Sequence, residues 1–153
     1  MVYFIDTSAL IKQYVDEPGS DVVREAFRRQ EGNLSTSELV LLEASSALTK
    51  MRRAQAITGS AYVEARANLL RDLHPRLLVV PAAEDAFDGV VEMIHTFRDR
   101  SVGCNDLLHL LAAERLQVAD PEARVTFICA DGPLGTLAAE RGFPVLDPES
   151  DSV

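Results

Sequence analysis

Hydrophobic positions along the chain fall into five short runs separated by longer amphipathic stretches. The runs are Val2–Ile5, Leu34–Ser35, Leu77–Val80, Val125–Cys129 and Val145–Leu146, and their length and flanking turn or cap residues predict strands. Helices are predicted over Val22–Gln30, Glu38–Ala54, Ser60–Leu73, Ala83–Arg98, Asn105–Gln117 and Leu134–Arg141. Pro18-Gly19-Ser20-Asp21 precedes the first helix, Ser35-x-x-Glu38 has capping-box spacing before the second, and Gly142-Phe143-Pro144 stops the last. Strands alternating with helices imply right-handed crossovers, hence an α/β fold with a central parallel sheet of about five strands flanked by helices. The nearly all-apolar first strand suits a central place covered on both faces.

Composition narrows the class. The chain has 153 residues, 47% of them hydrophobic, enough for one domain with a real core. We expect a single domain over 1–147 and a polar, flexible tail over 148–153. No apolar run approaches the ~20 residues a membrane helix needs. The start, Met1-Val2-Tyr3-Phe4-Ile5-Asp6, lacks the basic region of a secretory signal, so a cytoplasmic location is expected. Cys104 and Cys129 both sit among apolar residues and are expected to be small buried thiols. The net charge of -9 argues against tight sequence-independent binding of nucleic acid, which depends on Lys and Arg neutralising phosphates. An enzyme that holds a phosphate substrate through metal ions remains compatible with it.

Four acids attract attention. In open α/β sheets, ligands bind beyond the carboxyl ends of the strands. Asp6 directly follows the first predicted strand and Asp131 lies two residues past the fourth, so both belong to one sheet edge. Asp106 opens a helix, and Glu43 lies within the helix after the second strand. The helical neighbours of Glu43, namely Leu39, Val40 and Ala47, are apolar, so its charge needs a partner, either a cation or an arginine. Each aspartate also has a structural reading: Asp6 and Asp131 as helix caps, Asp106 as a first-turn acid. Their convergence on one edge favours a site for a hard cation such as Mg²⁺, which prefers oxygen ligands.

These residues resemble a known family. Phe4-Ile5-Asp6-Thr7-Ser8-Ala9-Leu10, Leu42-Glu43-Ala44-Ser45-Ser46-Ala47-Leu48, and Asn105-Asp106-Leu107-Leu108-His109-Leu110-Leu111-Ala112-Ala113 are similar to the motifs of PIN-domain nucleases. So is Phe127-Ile128-Cys129-Ala130-Asp131-Gly132-Pro133-Leu134, followed by Gly142-Phe143-Pro144-Val145-Leu146. The motifs occur in the family's order over nearly the whole chain, and their spacing most resembles the toxin subunits of VapBC toxin–antitoxin pairs.

The resemblance implies a PIN-like fold and a Mg²⁺- or Mn²⁺-dependent endoribonuclease. It also implies a homodimer and a small cognate antitoxin. It places Asp6, Glu43, Asp106 and Asp131 in the four acidic positions as metal-holding and catalytic residues, and Thr7 and Ser8 where hydroxyls lie near the metal. His109 occurs in the motif, and a structural role is expected for it. Lys12, Lys50, Arg52 and Arg53 are the candidate RNA contacts, although the last three equally suit a helix C-terminus.

Other readings fit less well. A haloacid-dehalogenase phosphohydrolase expects an aspartate where Ser8 stands, and a receiver domain expects a lysine that Cys129-Ala130-Asp131 lacks. A non-catalytic PIN-type RNA-binding or scaffold domain is the alternative from another class, but such domains typically lose one or more of the acids.

Overall fold

The structure, a computed structural model, describes residues 2–29, 32–82 and 85–151. The predicted helix ends at Gln30 and Ala83, and positions 152 and 153 of the tail, lie outside the described residues. The elements are β1 (Val2–Ile5), α1 (Thr7–Leu10) running into a 3-10 turn (Ile11–Gln13), α2 (Ser20–Arg29), β2 (Leu34–Ser37), α3 (Val40–Arg53) and α4 (Gly59–Arg76). They continue with β3 (Leu78–Val80), α5 (Ala86–Thr96), α6 (Cys104–Ala119), β4 (Val125–Ile128), α7 (Gly132–Glu140) and β5 (Val145–Leu146).

All strand pairings are parallel, and the strand order is β3-β2-β1-β4-β5. The chain winds outward from β1 to β3, then returns to the other side of β1 with β4. Winding reverses between β1 and β4, which are paired from Val2 opposite Val125 to Ile5 opposite Ile128. Such a reversal leaves a crevice beyond the carboxyl ends of the two strands.

Side-chain alternation along the strands divides the core in two. Phe4, Val125 and Phe127 face Leu107, Leu110 and Leu134 on α6 and α7. Ile5, Leu34 and Ile128 face Leu10, Val23, Phe27, Leu48 and Leu69 on the helices of the first half. The rings of Phe4 and Phe127 stack across the β1–β4 pair with centroids 5.4 Å apart.

Local chemistry explains where the elements depart from expectation. β2 runs on to Ser37, and the capping box read at Ser35 and Glu38 does not form. The Ser35 hydroxyl instead donates to Tyr3 O at 2.9 Å, and the Thr36 hydroxyl donates to Ile5 O at 2.8 Å. Polar side chains can thus fill a buried strand, because the neighbouring backbone accepts their protons. Helix α3 begins only at Val40. Past α7, Gly142 takes φ +94°, and the amides of Gly142 and Phe143 donate to Ala139 O and Ala138 O. This is the Schellman ending expected from the glycine.

Residues 148–151, the described part of the expected flexible tail, are tied to the domain. Lys12 Nζ donates to Glu149 Oε1 at 2.7 Å, and the Glu149 amide donates to Asp147 Oδ1 at 2.9 Å. Gly19 (φ +83°) lies so close that a Cβ there would sit 2.6 Å from Pro148 O.

Candidate functional site

The crevice beyond β1 and β4 encloses about 510 Å³, and Asp6, Glu43, Asp106 and Asp131 all line it. Thr7, Ser8, Asn105 and His109 join them, and Leu42, Ser46, Ala47 and Lys50 complete the wall contributed by α3. Glu43, Ala47 and Lys50 are spaced i, i+4, i+7, which puts them on one stripe of that helix.

Each aspartate is both a structural cap and a member of the cleft. Asp6 caps α1: its Oδ1 accepts the Ala9 amide at 3.1 Å and the Ser8 hydroxyl at 2.9 Å. Asp131 caps α7, with Oδ1 accepting the Leu134 amide at 2.9 Å. Asp106 Oδ2 accepts the Gly103 amide at 2.7 Å at the start of α6. Capping engages one named oxygen in each case, so the local bond that fixes the carboxylate does not use up its charge. Ser8 adds a tie between the strands: its Oγ accepts the Ala130 amide at 2.9 Å.

Among the side chains around it, Glu43 meets an imidazole and a hydroxyl in place of the expected arginine. Its Oε2 accepts from the Thr7 hydroxyl at 2.7 Å and lies 2.5 Å from His109 Nε2. Burial opposes its ionisation most strongly, but the bonds from His109 and Thr7, charge attraction to His109 and the bond from Asn105 together bring its pKa down to about 2. His109, Ser37 and Asn105 are the residues sequence reasoning undervalued. The available signal was a lone imidazole inside the apolar run Leu107-Leu108-His109-Leu110-Leu111, where a buried polar ring requires partners.

The electrostatics of the cleft favour a cation. Asp6 is 3% exposed, and burial raises its pKa against the pull of His109 and Ser8. Burial also raises that of Asp106, and the charges of Asp131 and Glu43 add to it, against the Gly103 bond. No ion pair among the described residues involves Asp6, Asp106 or Asp131. Also among the described residues, no three His, Cys, Asp or Glu side chains converge closely enough to enclose a metal ion directly. The four carboxylates therefore do not form a ready-made direct clamp. The arrangement still fits a hard ion that keeps several waters and is held by one or two carboxylates.

The expected RNA contacts separate. Lys50 lines the cleft, whereas Arg52 and Arg53 are exposed outside it. Lys12 corrects the expectation. It is 3% exposed, and its ammonium is committed to Glu17 and Glu149 at 3.3 and 2.7 Å, so it is not presented to a nucleic acid. Cys104 is a second correction: it is exposed at the first position of α6, while Cys129 is buried, and both are free thiols. Among the described residues, no helix is long and apolar enough to cross a membrane.

A family model described as the PIN domain matches residues 3–126. Among solved structures, the chain is similar to Mycobacterium tuberculosis VapC20, described as a sarcin–ricin loop cleaving toxin. The identity is 17% and the TM-score 0.67, over 95% of this chain and 97% of that one. It is similar to a chain of a toxin–antitoxin complex from Klebsiella pneumoniae, at 15% identity and TM-score 0.59, with full coverage of both chains. A third similarity is to a chain of VapBC2 from Rickettsia felis bound to a DNA fragment from their promoter. Here the identity is 15% and the TM-score 0.58, over 95% of this chain and 98% of that one. At these identities the likeness is one of fold. No curated protein matches the chain.

Proposed function

The chain belongs to the PIN-domain family, and from that premise we propose that it is a Mg²⁺- or Mn²⁺-dependent endoribonuclease, the toxin of a toxin–antitoxin pair working in the cytoplasm. The observation that carries the reading is the convergence of Asp6, Glu43, Asp106 and Asp131 on one cleft at the reversal of the sheet. These four carboxylates would hold the ion, directly or through water. When bound, the ion supplies charge neutralisation at a phosphoryl group and a water acidic enough to attack it near neutral pH. Thr7 and His109 orient Glu43, and Ser8 orients Asp6. Lys50 supplies a positive charge for a substrate phosphate inside an otherwise acidic cleft. Hydrolysis leaves 5′-phosphate and 3′-hydroxyl ends on the RNA.

The partners follow the same reading. Similar chains occur in toxin–antitoxin complexes, which supports a small antitoxin protein as the inhibitor. A homodimer is supported by α5, where Phe87, Val91 and Ile94 are exposed at helical spacing on one face. Asp88 and Glu92 flank the first part of that face, and His95 and Arg98 its end. Antiparallel pairing with a second copy would set acids against bases.

The test is cleavage of RNA by purified protein with Mg²⁺ or Mn²⁺. Asp6→Asn and Asp106→Asn should abolish it in folded protein, as should excess EDTA. Full activity in either variant, or in EDTA, sinks the reading.

A further inference from the structure

The three aspartates of the cleft are fixed by backbone amides of their own helices, but Glu43 cannot be. It is the fourth residue of α3, past the positions whose side chains cap a helix. A glutamate there has three rotatable bonds and no local group to hold it. Instead, a chain of side chains from two other elements stands behind it. Ser37, 3% exposed at the end of β2, places Oγ 2.9 Å from His109 Nδ1. His109, 1% exposed on α6, places Nε2 2.5 Å from Glu43 Oε2.

The direction of the chain follows from counting protons. Ser37 Oγ accepts the Leu39 amide at 3.3 Å and still has its proton and a second lone pair for Nδ1. The ionised Glu43 carboxylate can only accept, so Nε2 carries a proton and donates it to Oε2, an assignment made from the network. The imidazole is held at both nitrogens, and the Phe4 ring meets it edge-on with centroids 6.4 Å apart. We propose that Ser37 and His109 are positioning residues, which fix one oxygen of Glu43 so that its carboxylate is presented to the cation. This rests on the metal reading above. Partners behind a metal ligand typically change affinity by about 10–100-fold when removed.

The experiment is Mn²⁺ binding to the full-length, metal-free protein by calorimetry, with thermal melts to confirm folding. His109→Gln puts an amide nitrogen near the Nε2 position and can still donate to Glu43. His109→Asn puts it near Nδ1, where it reaches only Ser37. Glu43→Gln and His109→Asn should each weaken Mn²⁺ binding about 10–100-fold, His109→Gln clearly less, and Ser37→Ala by a smaller factor than Glu43→Gln. A role in packing alone would treat the Gln and Asn variants alike, so equal affinities for the two overturn the proposal. So does wild-type affinity in His109→Asn. If the His109 variants do not fold, Ser37→Ala decides: unchanged Mn²⁺ affinity overturns the proposal. Unchanged affinity in Glu43→Gln overturns this proposal alone, whereas no Mn²⁺ binding by the wild type overturns the metal reading on which it rests.

Discussion

His109 and Glu43 show how a residue's meaning can lie far from it in the chain. From sequence, Glu43 was recognisable as an acid needing a partner, with a cation or an arginine as candidates. The partner in the fold is an imidazole 66 positions away, itself anchored by Ser37, 72 positions from it. No local pattern encodes such pairs, because parallel crossovers bring them together only when β2 and α6 pack. The aspartates were more legible. Their cap chemistry and their place after strands are both local signals, and both proved to describe the same side chains.

Asp106 carries an electrostatic cost. Burial, with repulsion from Asp131 and Glu43, raises its pKa above its ordinary value. The folded state therefore binds this proton more tightly than the unfolded chain. The stability it contributes is present below the ordinary aspartate pKa of ~3.9 and is lost as pH rises through the raised value. Asparagine keeps an oxygen for the Gly103 amide and carries no charge. Asp106→Asn should thus raise the melting temperature of metal-free protein at neutral pH while removing cleavage. The gain should shrink toward acid in melts between about pH 3 and about pH 8. A variant less stable than wild type at neutral pH would show that Asp106 is not under strain from its neighbours.

At the level of elements, the apolar runs located all five strands and the capping signals located most helices. The misses have physical causes. The second half of β2, Thr36-Ser37, carries no apolar signal, since Thr36 donates to β1 and Ser37 meets His109. α1 and the 3-10 turn after it are too short for helical periodicity to register. Helix α7 allows the two roles of Asp131 to be separated. Serine caps as well as aspartate, whereas alanine does not. Asp131→Ala should lose about 1 kcal/mol of stability and Asp131→Ser only a few tenths, measured by urea denaturation. Both should cut RNA more slowly than wild type. If Asp131→Ser retains wild-type turnover, the residue is a cap and nothing more.

For the whole molecule, the net charge of -9 and the acidic cleft leave substrate binding dependent on bound cations and Lys50. The same excess of acids would keep copies apart, so association needs a specific apolar face with matched charges. The stripe on α5 offers one, with Val91 at its centre. Val91→Glu should convert a dimer to a monomer in sedimentation equilibrium without lowering the melting temperature of the monomer. A wild-type protein that sediments as a monomer at high micromolar concentration would remove α5 from consideration.

The strand order also has a consequence in time. β1 precedes its neighbour β4, and the aspartate beyond it, by two strands and the helices between them. Chains begin to fold from the N-terminus while still being synthesised, yet the first carboxylate of this cleft must wait for the last. The cleft therefore cannot exist until the ribosome has passed Asp131.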